Sequence, residues 1–395
     1  MTKRAEFHGP ALFSYGFRPF FLAAILFGLC VVPIWWLVLQ GRVSLTGVFS
    51  PTDWHSHEMI YGYGTAVVAG FLFTAVPNWT GRLPTRGWPL AVLLGLWLVG
   101  RVAVAGLIGL GPISVALLDQ TFLLAVAAMI AREIFAGKNW KNLKVLVPVT
   151  LLWVSNLAFH FEAAWQGNAD IGKRLGIALL VFLILLIGGR IVPSFTRNWL
   201  ARRDAAQLPV AFNRFDGATI GVSVTALLAW VLAPVGMVCG GLSLLAAILQ
   251  VLRLWRWQGV RTWPSPLLLM LHIAYLFIPL GFLGVAAGAH GITTLAMGAH
   301  LLGIGAIGGM TIAVMMRATM GHTGRDLKAG GMLILAFTLL VCAALFRGIA
   351  EWFPDMSAQS INLAVALWTA AFALLAWRIS PWLAGPKTVR CAAPR

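Results

Sequence analysis

Eight histidines stand in this chain against only twelve acidic residues, and six of the eight fall within or beside long apolar runs. An imidazole in an apolar setting can hold a metal ion, bind haem iron or carry a proton, and its placement there costs enough to require a partner. The densest group is Trp54-His55-Ser56-His57-Glu58, followed by Tyr61, Gly62 and Gly64. At roughly 100° per helical residue, His55 and His57 point to nearly opposite sides, whereas His55 with Glu58 and His57 with Tyr61 share faces. The two histidines therefore serve one metal only if the helix begins after them.

A second candidate is His300, with Met297 one turn before it and Gly303, Gly305, Gly308 and Gly309 after it. Glycine at that density suits the close approach of a neighbouring helix or a flat cofactor. Imidazoles on two facing helices can hold haem iron from both sides, which makes His57 and His300 a candidate pair. His272, in Leu271-His272-Ile273-Ala274-Tyr275, is a candidate for a further site. The competing reading is that each imidazole hydrogen-bonds a carboxylate or carbonyl inside the bundle. His160, His290, His8 and His322 read as interfacial or cytoplasmic residues. Met310, Met315, Met316 and Met320 could offer soft ligands to Cu(I), although methionine at helical spacing more often packs.

Arg101 and Asp119 both fall deep inside apolar runs, joined by a short turn at Gly111-Pro112, and they are placed to neutralise each other across that hairpin. Arg18, Arg190 and Arg317 sit near run ends. Snorkelling to the interface explains such residues, and the functional alternative is an anionic partner such as a haem propionate.

The elements that must position these groups follow from composition. Of 395 residues, 60% are hydrophobic and 10% charged, with a mean hydropathy of +0.87, which excludes an ordinary soluble enzyme. An apolar helix of about 20 residues spans a bilayer core, and Gly, Pro and charge punctuation places such helices near 19–40, 54–77, 88–109, 112–133, 143–165 and 175–196. The second half adds 215–235, 237–254, 265–288, 294–318, 329–350 and 358–379. The expected fold is an all-α polytopic membrane bundle of about twelve helices, forming a single integral membrane domain over residues 1–395.

The formal charge of +17 would suggest nucleic acid in a soluble chain, but here the basic residues collect in alternate loops. Lys3, Arg4, Arg82, Arg86, Arg132, Lys138, Lys141, Lys144, Arg197, Arg202, Arg203, Arg214, Arg253, Arg256, Arg261, Arg325, Lys328, Lys387, Arg390 and Arg395 fall on one side, and Arg42, Lys173, Arg174 and Arg347 on the other. That bias puts both termini in the cytoplasm, with an uncleaved first helix and no nucleic-acid partner. Cys30, Cys239, Cys342 and Cys391 form no CxxC pair, so neither a disulfide framework nor a thiolate zinc site is expected. Ala69-Gly70, Gly188-Gly189 and Gly308-Gly309 recur about 120 residues apart, each late in a run. This faint period suggests three four-helix pseudo-repeats in which the second, sixth and tenth helices are equivalent.

Several strings together resemble the NnrS family of bacterial membrane proteins. They are Phe13-Ser14-Tyr15-Gly16-Phe17-Arg18-Pro19-Phe20-Phe21, the run from Trp54 through Met59, and Ala69-Gly70-Phe71-Leu72 leading to Thr74-Ala75-Val76-Pro77-Asn78-Trp79-Thr80-Gly81. Gly188-Gly189-Arg190, Gly305-Ala306-Ile307-Gly308-Gly309-Met310-Thr311 and Gly321-His322-Thr323-Gly324-Arg325 complete the set. The resemblance implies a multi-pass protein of the bacterial cytoplasmic (inner) membrane that contains haem, of b type, and copper. It also implies a role in nitric oxide metabolism and tolerance of nitrosative stress, of the kind that accompanies denitrification.

His55, His57, His272 and His300 are carried forward as metal ligands, and the same four with Arg18 and Arg190 as cofactor-binding residues. The expected partners are nitric oxide or metal-nitrosyl species and membrane lipid. The twelve helices and their period look similar to the catalytic subunit of haem-copper oxidases and nitric oxide reductases, but the sixth and seventh runs contain no histidine. A reductase or oxidase is the first alternative function. Its need for a proton path meets few intramembrane acids, namely Glu58, Asp119 and Glu162. A transporter is the second, with Pro193 and Pro279 interrupting helices but no paired inverted pattern.

Overall fold

A computed structural model of the chain describes residues 7–138 and 140–388. Lys3, Arg4, Arg390, Cys391 and Arg395 lie outside the described residues, as do the side chains of Lys141 and Lys144. The chain is all-α, with 79% of its residues in helix and no strand among the described residues.

Twelve long helices follow in chain order: α1 (Phe17–Leu39), α2 (Pro51–Thr80), α3 (Trp88–Val104), α4 (Pro112–Ala136), α5 (Leu146–Gln166) and α6 (Asp170–Ala201), then α7 (Arg214–Leu232), α8 (Met237–Trp255), α9 (Pro266–Ala289), α10 (Ala296–His322), α11 (Gly331–Trp352) and α12 (Ser357–Ala384). Eleven of them are long and apolar enough to cross a bilayer, and α3 is the shorter twelfth. The expected multi-pass bundle is therefore present, with helix ends close to those the punctuation predicts.

Local chemistry sets those ends. Proline occupies the first turn of α2, α3, α4 and α9, where its missing N–H is lost at no cost. Ser50 caps α2 by accepting the Asp53 amide at 3.2 Å, and Asn213 with Asp216 forms a capping box at α7. Gly81 closes α2 in the left-handed conformation, φ 70°.

The chain divides into two compact units. The first holds residues up to Ala169 with Ala318–Asp326 and the C-terminal part from Leu375; the second holds Asp170–Arg317 and Leu327–Leu374. Within each, the usual arrangement of a soluble core is inverted. Large aliphatic side chains such as Ile113, Leu117 and Leu124 on α4, and Leu244, Ile248 and Val251 on α8, face outward, while Glu58, Arg101, Asp119, Asp216 and Arg253 are buried. Lipid hydrates nothing, so polar groups are stable only when they pair inside the protein.

Three helices depart from α geometry, and they are the three singled out by the period of small residues. A π segment occupies Glu58–Gly64 in α2, Ile184–Gly188 in α6 and Leu301–Gly308 in α10. A wider turn releases backbone carbonyls from the regular ladder, and each segment recruits side-chain donors for them. Trp97 Nε1 of α3 donates to the carbonyl of Gly62 at 2.9 Å, and Arg253 Nη1 of α8 donates to that of Leu185 at 3.4 Å. In α10, Thr311 Oγ1 reaches the carbonyls of Ile307 and Gly308 at 2.8 and 2.9 Å.

The glycines of α10 serve mainly to admit α9. A Cβ on Gly298 would lie 2.4 Å from Val285 Cγ2 and 2.7 Å from the Val285 amide nitrogen, and one on Gly305 would lie 2.0 Å from Phe277. Gly303 differs, because a Cβ there meets no atom within 4 Å. Gly298→Val is therefore expected to destabilise the second unit by about 1–3 kcal/mol, since backbone cannot yield cheaply. Gly303→Ala should leave folding unchanged; thermal denaturation of the detergent-solubilised protein compares the two.

Candidate metal centre

The first unit buries a connected set of charged and polar groups drawn from α2, α3, α4 and α5. Arg101 of α3 is its hub, donating through Nη1 to Glu58 and through Nη2 to Asp119. The pairing of Arg101 with Asp119 expected across the α3–α4 hairpin is thus present, and the Gly100 face of α3 makes room for it: a Cβ there would lie 2.9 Å from Asp119 Oδ1. Glu58 opens the π segment of α2, directly after His57.

His57 is fully buried, 0% exposed. Its Nδ1 lies 3.0 Å from Glu58 Oε1, and its Nε2 lies 2.9 Å from Asn156 Oδ1 and 3.1 Å from Asp119 Oδ2. His160 Nε2 approaches the same Asp119 oxygen at 3.1 Å, and Asn156 Nδ2 donates to it at 2.7 Å. One nitrogen each from His57 and His160 and one Asp119 oxygen all lie within 4.8 Å of one another. Aromatic rings wall the group: Phe49 and Phe159 pack on His57 with ring centroids 4.9 and 5.2 Å away, and Tyr61, which hydrogen-bonds Ser155 at 2.9 Å, closes the next turn.

Two features of this arrangement bear on chemistry. Carboxylate and amide oxygens only accept hydrogen bonds, so both nitrogens of His57 face acceptors. Two carboxylates against one guanidinium also leave one negative charge in a buried site, which is costly unless a proton on His57 or a bound metal ion balances it. An imidazole whose Nδ1 is held by a carboxylate is the arrangement by which proteins orient histidines on metal ions. Three N/O ligand atoms with an oriented outer carboxylate suit copper, zinc or iron.

The sequence match runs through all of these residues. The family model for the NnrS protein covers residues 11–387, nearly the whole chain.

The chain belongs to the NnrS family.

None of the curated proteins matches it. In this NnrS chain the other candidate residues occupy separate surroundings. The helix of α2 begins at Pro51, before His55 and His57, so the two rings diverge: His55 stacks on Trp35 at 4.2 Å while His57 turns to Asp119. Arg18 is buried and donates to the carbonyls of Leu383 and Gly385 at 2.9 and 2.6 Å, which ties the start of α1 to the end of α12. Arg190 is exposed on α6. His322 stacks on Tyr15 at 5.4 Å.

The second unit holds His272 and His300. His272 Nε2 lies 2.8 Å from Thr196 Oγ1, whose own hydrogen goes to the Val192 carbonyl, so Nε2 is the protonated nitrogen and the buried Nδ1 keeps its lone pair without a hydrogen-bond partner. His300 Nδ1 lies 2.8 Å from the carbonyl of Ala296, an acceptor only. Its proton is therefore on Nδ1, and Nε2 carries the free lone pair that a metal needs. The half-buried ring stands one turn before the open position at Gly303.

His160 and Asn156 are the residues that sequence reasoning passed over. A histidine near a helix end gives no sign by itself, but Asn156 and His160 are spaced i, i+4 on one face of α5 beside Ser155 and Phe159, all buried. That polar stripe inside an apolar run was the available signal.

Proposed function

We propose that this NnrS-family membrane protein holds haem and a second metal, and binds nitric oxide in the inner membrane as part of the cell's defence against nitrosative stress. The observation that carries the haem assignment is His300: an imidazole fixed by its own helix through Nδ1, with Nε2 unprotonated, ahead of a glycine position with open space around it. His300 would hold haem iron through Nε2, since the backbone carbonyl on Nδ1 fixes the tautomer and the ring orientation. A bound haem supplies an iron with a coordination position at which nitric oxide binds. The protein's part is to orient the imidazole, to surround it with apolar helices and to keep water away.

His57 fits haem less well, because both its nitrogens are already directed at Glu58, Asn156 and Asp119. His272 retains a buried lone pair at Nδ1, but a Cβ on Gly259 would lie 2.5 Å from that atom, so the backbone closes the approach. Binding, in preference to turnover, is supported by the ion pairing of the intramembrane acids. Glu58 and Asp119 are both engaged by Arg101, which makes them poor links in a proton path.

The test is nitric oxide uptake by the reduced protein in proteoliposomes, followed with an electrode. Uptake close to one equivalent per haem that then stops is the expected result. Sustained consumption over many equivalents with a reductant present would replace the binding reading with a reductase.

A further inference from the structure

We infer that His57, Asp119 and His160 form a site for one late first-row divalent ion, Cu2+ or Zn2+, with Glu58, Arg101 and Asn156 holding the ligands in place. This rests on the reading of the protein as a metal-holding membrane protein and gives it a ligand set that includes a residue, His160, outside the histidines of the recognisable family strings.

The argument is geometric. Asp119 Oδ2 is approached by the Nε2 atoms of two imidazoles, each at 3.1 Å, from α2 and α5. The imidazole rings lie 5.1 Å apart at 77° and do not stack, and both Nε2 atoms converge on the same carboxylate oxygen. Glu58 holds the far nitrogen of His57, and Arg101 holds both Glu58 and the other oxygen of Asp119. Each ligand other than His160 is thereby oriented from behind. The excess of one carboxylate over guanidinium leaves a negative charge that a metal ion, taking the place of a proton on His57, would offset.

Two imidazoles and one carboxylate make a donor set of intermediate hardness. It favours Cu2+ and Zn2+ over the hard ions Mg2+ and Ca2+, and over Cu+, which prefers sulfur. No thiolate belongs to the group among the described residues.

The probe is Cu2+ added to the full-length protein in detergent after chelator treatment, read by electron paramagnetic resonance and by metal analysis. One tightly bound Cu2+ per chain with nitrogen hyperfine structure from imidazole is expected. Replacing a ligand, as in His160→Gln or His57→Gln, should abolish the signal in protein that remains monodisperse and helical. Glu58→Gln should weaken binding by about 10–100-fold, the usual consequence of losing a carboxylate behind a ligating imidazole.

A wild-type protein that takes up no Cu2+ beyond a helical membrane protein lacking such a cluster would overturn the assignment. So would Cu2+ bound without nitrogen coupling, or with full affinity in the His57→Gln/His160→Gln double variant. The wild-type spectrum decides even if a variant fails to fold. The haem reading fails separately, because haem is read in the visible spectrum and follows His300 in the second unit.

Discussion

Arg101→Met is expected to destabilise the protein by about 3–5 kcal/mol, the largest stability effect of any single substitution considered for this chain. Its guanidinium is the group that joins Glu58 to Asp119, and its side chain is 8% exposed while those of its partners are 1% and 2%. Removing it leaves two buried carboxylates without a guanidinium between them, beside the His57 and His160 imidazoles and the Asn156 amide. Most of the cost is the penalty of that uncompensated charge, and the lost attraction contributes little.

The distinction can be tested. In Arg101→Met/Glu58→Gln/Asp119→Asn the charges are removed together, and most of the lost stability should return, because neutral groups of similar size carry no burial penalty for charge. As a control, Arg82→Met breaks the Arg82–Glu133 pair, 2.6 Å apart with Arg82 43% exposed, and should cost under about 1 kcal/mol. Denaturant titration in mixed micelles, followed by loss of tryptophan fluorescence, measures all three. A loss in Arg101→Met no larger than in Arg82→Met would contradict the role of Arg101 as the hub.

The parts of this structure that the sequence announces are those fixed by the bilayer. Apolar runs of bilayer length must be helices because lipid offers no partner to an open backbone, and Gly111-Pro112 or Gly81 stops them for reasons visible in one residue. The Arg101–Asp119 pair is legible on the same ground. A charge in each of two consecutive apolar helices has few ways to be stable, and a short hairpin supplies one.

The π segments are less legible. Gly62, Gly64, Gly305 and Gly308 show that neighbours come close, but the shift from one helical period to another is set by which carbonyls find donors on other helices. Trp97 and Arg253 supply those donors from α3 and α8. Gly188 and Gly308 of the recurring small pairs close the π segments of α6 and α10, whereas Ala69-Gly70 lies in regular α-helix beyond that of α2.

The candidate metal centre is half legible. His57 and Glu58 stand side by side in the sequence, and their role follows from adjacency. The choice between His55 and His57 needed the helix start, which Ser50 and Pro51 place before both. His160 was hidden because its partner, Asp119, lies on another helix, and no local pattern links two spans separated by a loop.

The proposed haem ligation by His300 is tested by the visible absorption spectrum of the purified protein. A Soret band is expected in the wild-type protein, shifting when nitric oxide is added to the reduced form. In His300→Ala that band should be lost with helix content and Cu2+ uptake retained. A folded wild-type protein with no Soret band after expression with haem supplied, or a His300→Ala variant with its full haem complement, would contradict it.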